Sequence, residues 1–148
     1  MTSTNFLHVA QWHMLAGIMP PKPANLDDQL ALKLIEEEVE ELKVALANND
    51  KVEVADALGD ILFVVYGAAY RYGMDANKIF AEVARSNFSK FCLTEQEALD
   101  TIATYNKANT DGFADCRKEG DYWIVYRVSD GKLLKNNKWS PPNFKNNS

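Results

Sequence analysis

Acidic side chains recur at helical spacing in two neighbouring stretches of the chain. The first stretch reads Glu37-Glu38-x-x-Glu41, and the second reads Glu53-x-x-Asp56-x-x-x-Asp60. Two antiparallel helices joined by a short turn would bring these carboxylates opposite one another in a cleft, where several like charges need cations. Hard oxygen ligands on rigid helices suit Mg²⁺ or Mn²⁺ and do not suit zinc. The pattern therefore predicts a divalent-metal site, most directly one for magnesium.

The second acidic stretch lies in an otherwise apolar segment. Between Val52 and Tyr70 the only charged residues are Glu53, Asp56 and Asp60. A helix of this composition is expected to be buried nearly all round, yet its three acids fall within about 60° of one another. Burying three like charges without compensation is costly, which favours a metal site. The simpler alternative is a polar stripe at the mouth of a helical bundle.

The first acidic stretch belongs to a long helix with two apolar stripes. Glu38 lies between these stripes, and Glu41 lies inside the weaker one. Glu36 and Glu40 point the other way and are predicted to be solvated surface charges. The main stripe, expected to form the core, is Leu32, Ile35, Val39, Leu42 and Leu46, and the weaker one is Leu30, Leu34 and Ala45.

Five helices and a terminal hairpin are predicted to carry these residues. The predicted helices are 6–16, one capped by Asn25 or Asp27 and ending near Ala47, one capped by Asp50 and reaching Tyr72, 76–87 capped by Asp75, and one opened by the capping box Thr94-x-x-Glu97 and ending near Lys107. A stiff connector, Pro20-Pro21-Lys22-Pro23, follows the first helix, and Gly17 and Gly73 end the first and third.

The C-terminal third is predicted to be less regular. Residues 109–120 are polar and expected to form a loop. Residues 121–135 are expected to form a hairpin with its turn at 129–132, and the tail after Lys138 to be extended and partly disordered.

Composition narrows the class of function. The chain has 148 residues, most simply one domain, with a net charge of −5 and no basic cluster, so neither nucleic acid nor an anionic membrane is expected as a partner. No signal peptide or membrane span is expected, and Cys92 and Cys116 are expected to be reduced thiols in a cytoplasmic protein. A di-iron centre is not expected, because neither His8 nor His13 follows a glutamate at the required spacing.

These motifs resemble the all-α nucleoside triphosphate pyrophosphohydrolases, the superfamily of MazG, the dimeric dUTPases and phosphoribosyl-ATP pyrophosphohydrolase. The likeness is carried by Glu37-Glu38-x-x-Glu41-Leu42, by the segment DALGDILFVVYGAAYRYGMD at 56–75, and by Arg85-Ser86-Asn87-x-Ser89-Lys90. It is strongest for small MazG-like proteins, often carried by phages. The likeness spans about residues 6–91 and the tail with Asp130-Gly131-Lys132, whereas residues from Cys92 to Glu119 look like an insertion.

The resemblance implies roles for individual residues. Glu38, Glu41 and Asp60 would bind the metal. Because Ala57 stands where the family motif has glutamate, Asp56 or, less favoured, Glu53 would supply the fourth ligand. Glu37 or Glu53 would orient or deprotonate the attacking water. The phosphate-binding candidates are Arg85, Asn87 and Lys90, and the base-binding candidates include Trp12 and His13.

The resemblance also implies an activity and an assembly. The implied reaction is Mg²⁺-dependent hydrolysis of nucleoside triphosphates, dNTPs above all, between the α- and β-phosphates, giving a monophosphate and pyrophosphate for control of the nucleotide pool. The implied assembly is a homodimer or homotetramer that completes a four-helix core. The alternatives are a phosphoribosyl-ATP pyrophosphohydrolase activity, or a non-enzymatic helical dimerisation module that binds metal structurally.

Overall fold

The computed structural model describes residues 4–20, 26, 29–108 and 112–145, and the chain divides into two compact units. Residues 1–79 with 145–148 form the first unit, and residues 80–144 form the second. The architecture is all-α with a small β-hairpin, as predicted. In the described part of the chain the elements are α1 Asn5–Leu15, α2 Gln29–Ala47, α3 Lys51–Arg71, α4 Ala76–Phe88, α5 Glu95–Ala108, β1 Ala114–Glu119 and β2 Tyr122–Arg127.

Local sequence signals set most of the helix ends. Asn49 adopts a left-handed backbone conformation (φ 53°) in the turn between α2 and α3. Asp50 then caps α3 by accepting hydrogen bonds from the N–H groups of Val52 and Glu53. Asp75 caps α4 in the same way. The proposed cap of α2 at Asn25 or Asp27, and residues 21–23 of the proline connector, lie outside the described residues.

The capping box of α5 forms with one difference from the expected pattern. Thr94 Oγ1 accepts from the Glu97 N–H at 3.1 Å, whereas the Glu97 carboxylate reaches back to the N–H of Leu93 rather than that of Thr94. The N–H groups of Glu97 and Leu93, at the start of α5, therefore both have a side-chain acceptor.

The first unit is built on the antiparallel pair α2 and α3, with α1 packed on α3. The face of α2 that is buried carries Ala31 and Ala45, and the predicted core stripe is wrong for three members. Leu32, Val39 and Leu46 are 48%, 37% and 59% exposed. A helical wheel finds apolar stripes but does not tell which one a neighbouring helix covers. Here small alanines allow the close approach, and the larger side chains stay open.

Helix α3 is also less buried than its composition predicts. Ala57, Gly67 and Tyr70 are buried, but Leu58, Leu62 and Val65 remain about half exposed. The prediction of burial nearly all round is therefore wrong within a single chain, because α1 and α2 leave one face of α3 uncovered.

The hairpin of the second unit lies earlier in the chain than predicted. Strands β1 and β2 pair antiparallel from Ala114 opposite Arg127 to Glu119 opposite Tyr122. The predicted 109–120 loop is thus wrong for β1, whose charged sequence hides its strand character. The predicted turn at 129–132 does form, since Asp130 accepts from the Lys132 N–H, but the return pairs only through a bridge between Tyr126 and Leu133.

A small core stabilises the second unit. Cys92, Ala98, Ala114 and Val125 are buried together, and Trp123 packs against them. Both cysteines are free thiols, and burial raises the pKa of each. Cys92 pairs through its backbone with Trp123 on one edge of β2, whereas Cys116 lies in β1, which pairs with the other edge. The Cα atoms of the two cysteines are therefore two strand spacings apart, about 10 Å, which is too far for a disulfide in this fold.

Within the described residues the C-terminal tail is held by hydrogen bonds and an ion pair, where partial disorder was predicted, and residues 146–148 lie outside the described residues. Ser86 donates to the Ser140 carbonyl at 2.9 Å, and the Asn143 N–H donates to Glu82 at 2.8 Å. Lys138 also forms an ion pair with Glu97 at 2.7 Å. No helix in the described ranges is long and apolar enough to cross a membrane.

Candidate functional site

Glu38 is the most deeply placed of the predicted metal ligands. It lies seven residues after Ala31 and seven before Ala45, so all three share the face of α2 that packs on α3. Its Oε2 atom is buried and has no hydrogen-bond partner among the described residues. A buried carboxylate oxygen without a donor is costly, and a bound cation would satisfy it.

The other acids act on Glu38 through their charge. Burial raises the pKa of Glu38 most, and the nearby carboxylates of Glu41, Asp60, Glu37 and Asp56 raise it further, in that order. The antiparallel α2–α3 pair thus places three predicted metal ligands, Glu41, Asp56 and Asp60, within electrostatic reach of the fourth.

Glu53 occupies a different position. It lines an open groove of about 570 Å³ at the end of the helix pair, together with Glu37, Glu41 and Asp50. It lies one turn closer to the α2–α3 loop than Asp56, and among the two candidates for the fourth ligand only Asp56 raises the pKa of Glu38 through its charge.

The carboxylate donors have the right chemistry for a divalent metal ion, although they do not form a preformed coordination site. In the ranges that the structure describes, no three His, Cys, Asp or Glu side chains already converge on one point.

Glu37 makes a long ion pair with Lys33, at 3.9 Å, on the exposed face. Glu40, predicted to be a surface charge, is confirmed as one by its ion pair with Lys43 at 2.9 Å.

The predicted base-binding residues lie in an aromatic cluster on α1 and α3. Trp12 is 52% exposed and meets Phe63 edge to face, with ring centroids 5.5 Å apart. His13 is buried, donates Nδ1–H to the Val9 carbonyl at 2.8 Å, and lies nearly parallel to Phe63. The cluster therefore offers two accessible rings, those of Trp12 and of the 36% exposed Phe63, beside the buried imidazole of His13.

Sequence reasoning missed the glycine beneath this cluster. A Cβ on Gly67 would lie 2.9 Å from His13 Cε1, so the imidazole occupies space that only glycine leaves open. A lone glycine inside an apolar helix was the available signal, because it commonly marks a close approach.

The predicted phosphate-binding residues belong to the second unit and are engaged locally. Arg85 pairs with Glu82 and also donates to Ser140 Oγ and the Pro141 carbonyl. Lys90 donates to Asn87 at 2.9 Å. The structure thus gives Arg85 a role in holding the tail, and its predicted role toward phosphate stays a prediction.

Comparison with known proteins places this arrangement in a family. A curated protein of Acanthamoeba polyphaga mimivirus, itself described as uncharacterized, is 33% identical over 109 residues, which are 70% of this chain. The alignment covers 43% of the viral protein, so the chain spans less than half the length of this relative.

A family model described as phosphoribosyl-ATP pyrophosphohydrolase matches residues 14–87, which is half of the chain. The matched segment contains every predicted metal ligand, with Trp12 and His13 just before it and Lys90 just after it. On this match and on its all-α fold, the chain belongs to the phosphoribosyl-ATP pyrophosphohydrolase family, within the all-α pyrophosphohydrolase superfamily that its acidic motifs resemble.

Proposed function

We propose that this protein hydrolyses nucleoside triphosphates, dNTPs above all, between the α- and β-phosphates in a magnesium-dependent reaction. The observation that carries the proposal is the buried Oε2 of Glu38, which has no hydrogen-bond partner among the described residues and is set among four further carboxylates that raise the pKa of its side chain. Family membership supports a pyrophosphohydrolase activity of this general type.

Glu38, Glu41, Asp56 and Asp60 would hold the metal. Asp56 is preferred to Glu53 as the fourth ligand because its charge acts directly on Glu38, whereas Glu53 lines the outer groove. When bound, Mg²⁺ neutralises phosphate oxygens and the charge that develops on the leaving pyrophosphate.

The acids that do not bind the metal would act on the water molecule that attacks the substrate. Glu37 or Glu53, both at the groove, would orient a water molecule and accept its proton as its oxygen attacks the α-phosphorus. The new O–Pα bond forms while the bond from Pα to the bridging oxygen breaks. The nucleoside monophosphate keeps the water oxygen, and pyrophosphate leaves with the bridging oxygen. Arg85, Asn87 and Lys90 remain the candidates for the phosphate tail.

Trp12 and Phe63 would bind the base. Both rings are partly exposed, and aromatic side chains accept any base face by stacking. Phe63 follows Asp60 by three residues on α3, so this surface lies one helical turn from a metal ligand. His13 would support the surface from below, because it is buried against Phe63.

Self-association would cover the open apolar faces of the first unit. Leu32, Val39 and Leu46 form an exposed stripe on α2, and exposed leucines on α3 extend the apolar surface. Surfaces of this kind are usually buried by a partner, and a second copy would complete a four-helix core in a dimer, or in a tetramer made of two dimers.

Phosphoribosyl-ATP is the second candidate substrate, and the name of the matching family favours it. Charge argues against it, because residues 1–79 carry twelve acidic and six basic residues, and this substrate brings an additional phosphate. A non-enzymatic metal-binding module is the third possibility, and substitution of the ligands separates it from an enzyme.

Glu38→Gln and Asp60→Asn should each lower pyrophosphate release at least 100-fold, in keeping with the loss of a metal ligand. Glu36→Gln, on the exposed side of α2, is the matched control and should retain wild-type activity. All three variants should remain folded and keep the assembly state of the wild type. Unchanged pyrophosphate release in Glu38→Gln and Asp60→Asn would refute the proposed site.

A further inference from the structure

Gly67 lies in the middle of α3 directly beneath the imidazole of His13. A Cβ built on Gly67 would lie 2.9 Å from His13 Cε1 and 3.0 Å from His13 Nε2. Gly67 is itself buried, so the contact lies inside the interface between α1 and α3. Any side chain at position 67 must therefore displace His13.

His13 is held in a way that leaves little room for displacement. Its Nδ1 carries the proton, because the Val9 carbonyl at 2.8 Å can only accept a hydrogen bond. The ring lies nearly parallel to Phe63, with an interplanar angle of 22°, and its centroid is 5.1 Å from that of Tyr70. Moving the imidazole therefore moves the aromatic rings beside it, or breaks the bond to Val9.

The same contacts set the position of α1 along α3. Trp12 meets Phe63 edge to face next to His13, and the Tyr70 hydroxyl donates to the carbonyl of Ile18, just beyond α1, at 2.9 Å. Five residues of α3 that carry the carboxylates and the aromatic contacts lie on one face of the helix: Asp56, Asp60, Phe63, Gly67 and Tyr70. Their spacings along the chain are four, three, four and three residues. One face of α3 thus joins the carboxylates to the aromatic cluster.

We propose that Gly67 is a positioning residue that makes the nucleobase contribute to substrate binding. By admitting His13 against α3, Gly67 fixes Trp12 and Phe63 one helical turn from Asp60, where the base of a bound nucleotide stacks. This inference rests on the proposed nucleotide pyrophosphohydrolase activity and adds to it the residue that sets the base-binding surface.

The test compares Gly67→Ala with Gly59→Ala on two substrates. Gly59 lies in the same helix, and a Cβ built there meets no atom of the described residues within 4 Å, so its variant makes the same chemical change without the clash. The substrates are dNTPs and the 5-triphosphate of deoxyribose, which has no base. Pyrophosphate release is measured under steady-state conditions, with light scattering to verify the assembly state.

Gly67→Ala should raise KM for dNTPs about tenfold, the lower end of the effect of losing one stacked base, with kcat within about twofold of wild type. Its KM for the abasic triphosphate should not change, and Gly59→Ala should match the wild type on both substrates. An unchanged KM ratio between the two substrates in Gly67→Ala would overturn the inference. This holds also if the variant has a lower melting temperature, because the substitution would then affect only stability. An equal rise in KM for both substrates leaves that ratio unchanged and would overturn it as well.

If Gly67→Ala does not fold, the double variant His13→Ala/Gly67→Ala removes the clash and should fold. It should then bind dNTPs no better than the abasic triphosphate, and a wild-type KM ratio in this variant would overturn the inference. Failure of the proposed function is recognised separately, because in that case the wild-type protein releases no pyrophosphate from either substrate.

Discussion

At the residue scale, Glu38 links the stability of the first unit to its chemistry. Its buried Oε2 has no donor among the described residues, and four further carboxylates act on it. Such an arrangement costs folding free energy in the absence of a cation, and sites of this kind commonly trade stability for function.

Removing this charge should therefore stabilise the metal-free protein. In EDTA, Glu38→Gln should raise the melting temperature by a few degrees, because a neutral amide of similar shape replaces a charge among like charges. Added Mg²⁺ should raise the melting temperature of the wild type more than that of the variant. Thermal unfolding with and without Mg²⁺ measures both effects, and a Glu38→Gln variant less stable than wild type in EDTA would contradict the proposed role of this charge.

The fourth ligand can be identified by pairing two substitutions. Asp56→Asn should raise the Mg²⁺ concentration for half-maximal activity by tenfold or more, in the range seen when groups around a metal are removed. Glu53→Gln should leave this concentration within about threefold of wild type, since Glu53 lines the outer groove. Magnesium titrations of pyrophosphate release decide between them, and the opposite ranking would assign the ligand to Glu53.

At the element scale, the sequence predicted the helix caps, which depend on neighbouring residues, but not the buried face of α2 or strand β1, which depend on tertiary packing. The caps at Asp50, Asp75 and Thr94 were all confirmed, because each depends on a side chain and an N–H two or three residues away. The buried stripe of α2 was wrong at Val39, and β1 was missed, because both depend on which element packs or pairs alongside.

The ion pair between Glu97 and Lys138 connects α5 to the tail and should make stability depend on pH. The Lys138 ammonium, and then the Leu93 N–H, hold the pKa of Glu97 below its usual value of 4.5. The folded state therefore favours the ionised carboxylate. The resulting stabilisation is present above the unfolded pKa and is lost as the pH falls through the lower, folded pKa.

Glu97→Gln should accordingly lower the melting temperature by a few degrees at neutral pH. The difference from wild type should shrink as the pH falls below 4.5, because the unfolded wild-type chain then takes up a proton at Glu97, and it should be smallest once the pH has passed the lower, folded pKa. Glu95→Gln, an exposed residue of the same helix, is the control and should have little effect at any pH. A Glu97→Gln deficit of the same size at neutral and at strongly acidic pH would rule out the ion pair as its cause.

At the scale of the whole molecule, the net negative charge and the exposed apolar stripes of α2 and α3 lie in the first unit. Residues 1–79 carry twelve acidic and six basic residues, whereas residues 80–144 carry nine of each. The sequence predicted that these apolar stripes would be buried, but it did not tell whether by the same chain or by a second copy, because a hydrophobic pattern does not distinguish a core from an interface.

Self-association should therefore depend on α3. Light scattering on the purified protein should give a dimer or tetramer, and Leu62→Glu should shift it toward monomer, because Leu62 is 57% exposed on the open face. Leu99→Glu, on α5 and 47% exposed, is the matched control and should leave the assembly unchanged. A monomeric wild-type protein would contradict the proposed four-helix core.

Hydrolysis between the α- and β-phosphates is tested most directly by product analysis in ¹⁸O-labelled water. The wild-type protein is incubated with Mg²⁺ or Mn²⁺ and each common NTP and dNTP, with phosphoribosyl-ATP in parallel. We expect equal amounts of monophosphate and pyrophosphate from at least one nucleoside triphosphate, with the label in the monophosphate. Label in pyrophosphate or orthophosphate, or no pyrophosphate from any nucleoside triphosphate, would contradict the proposed reaction.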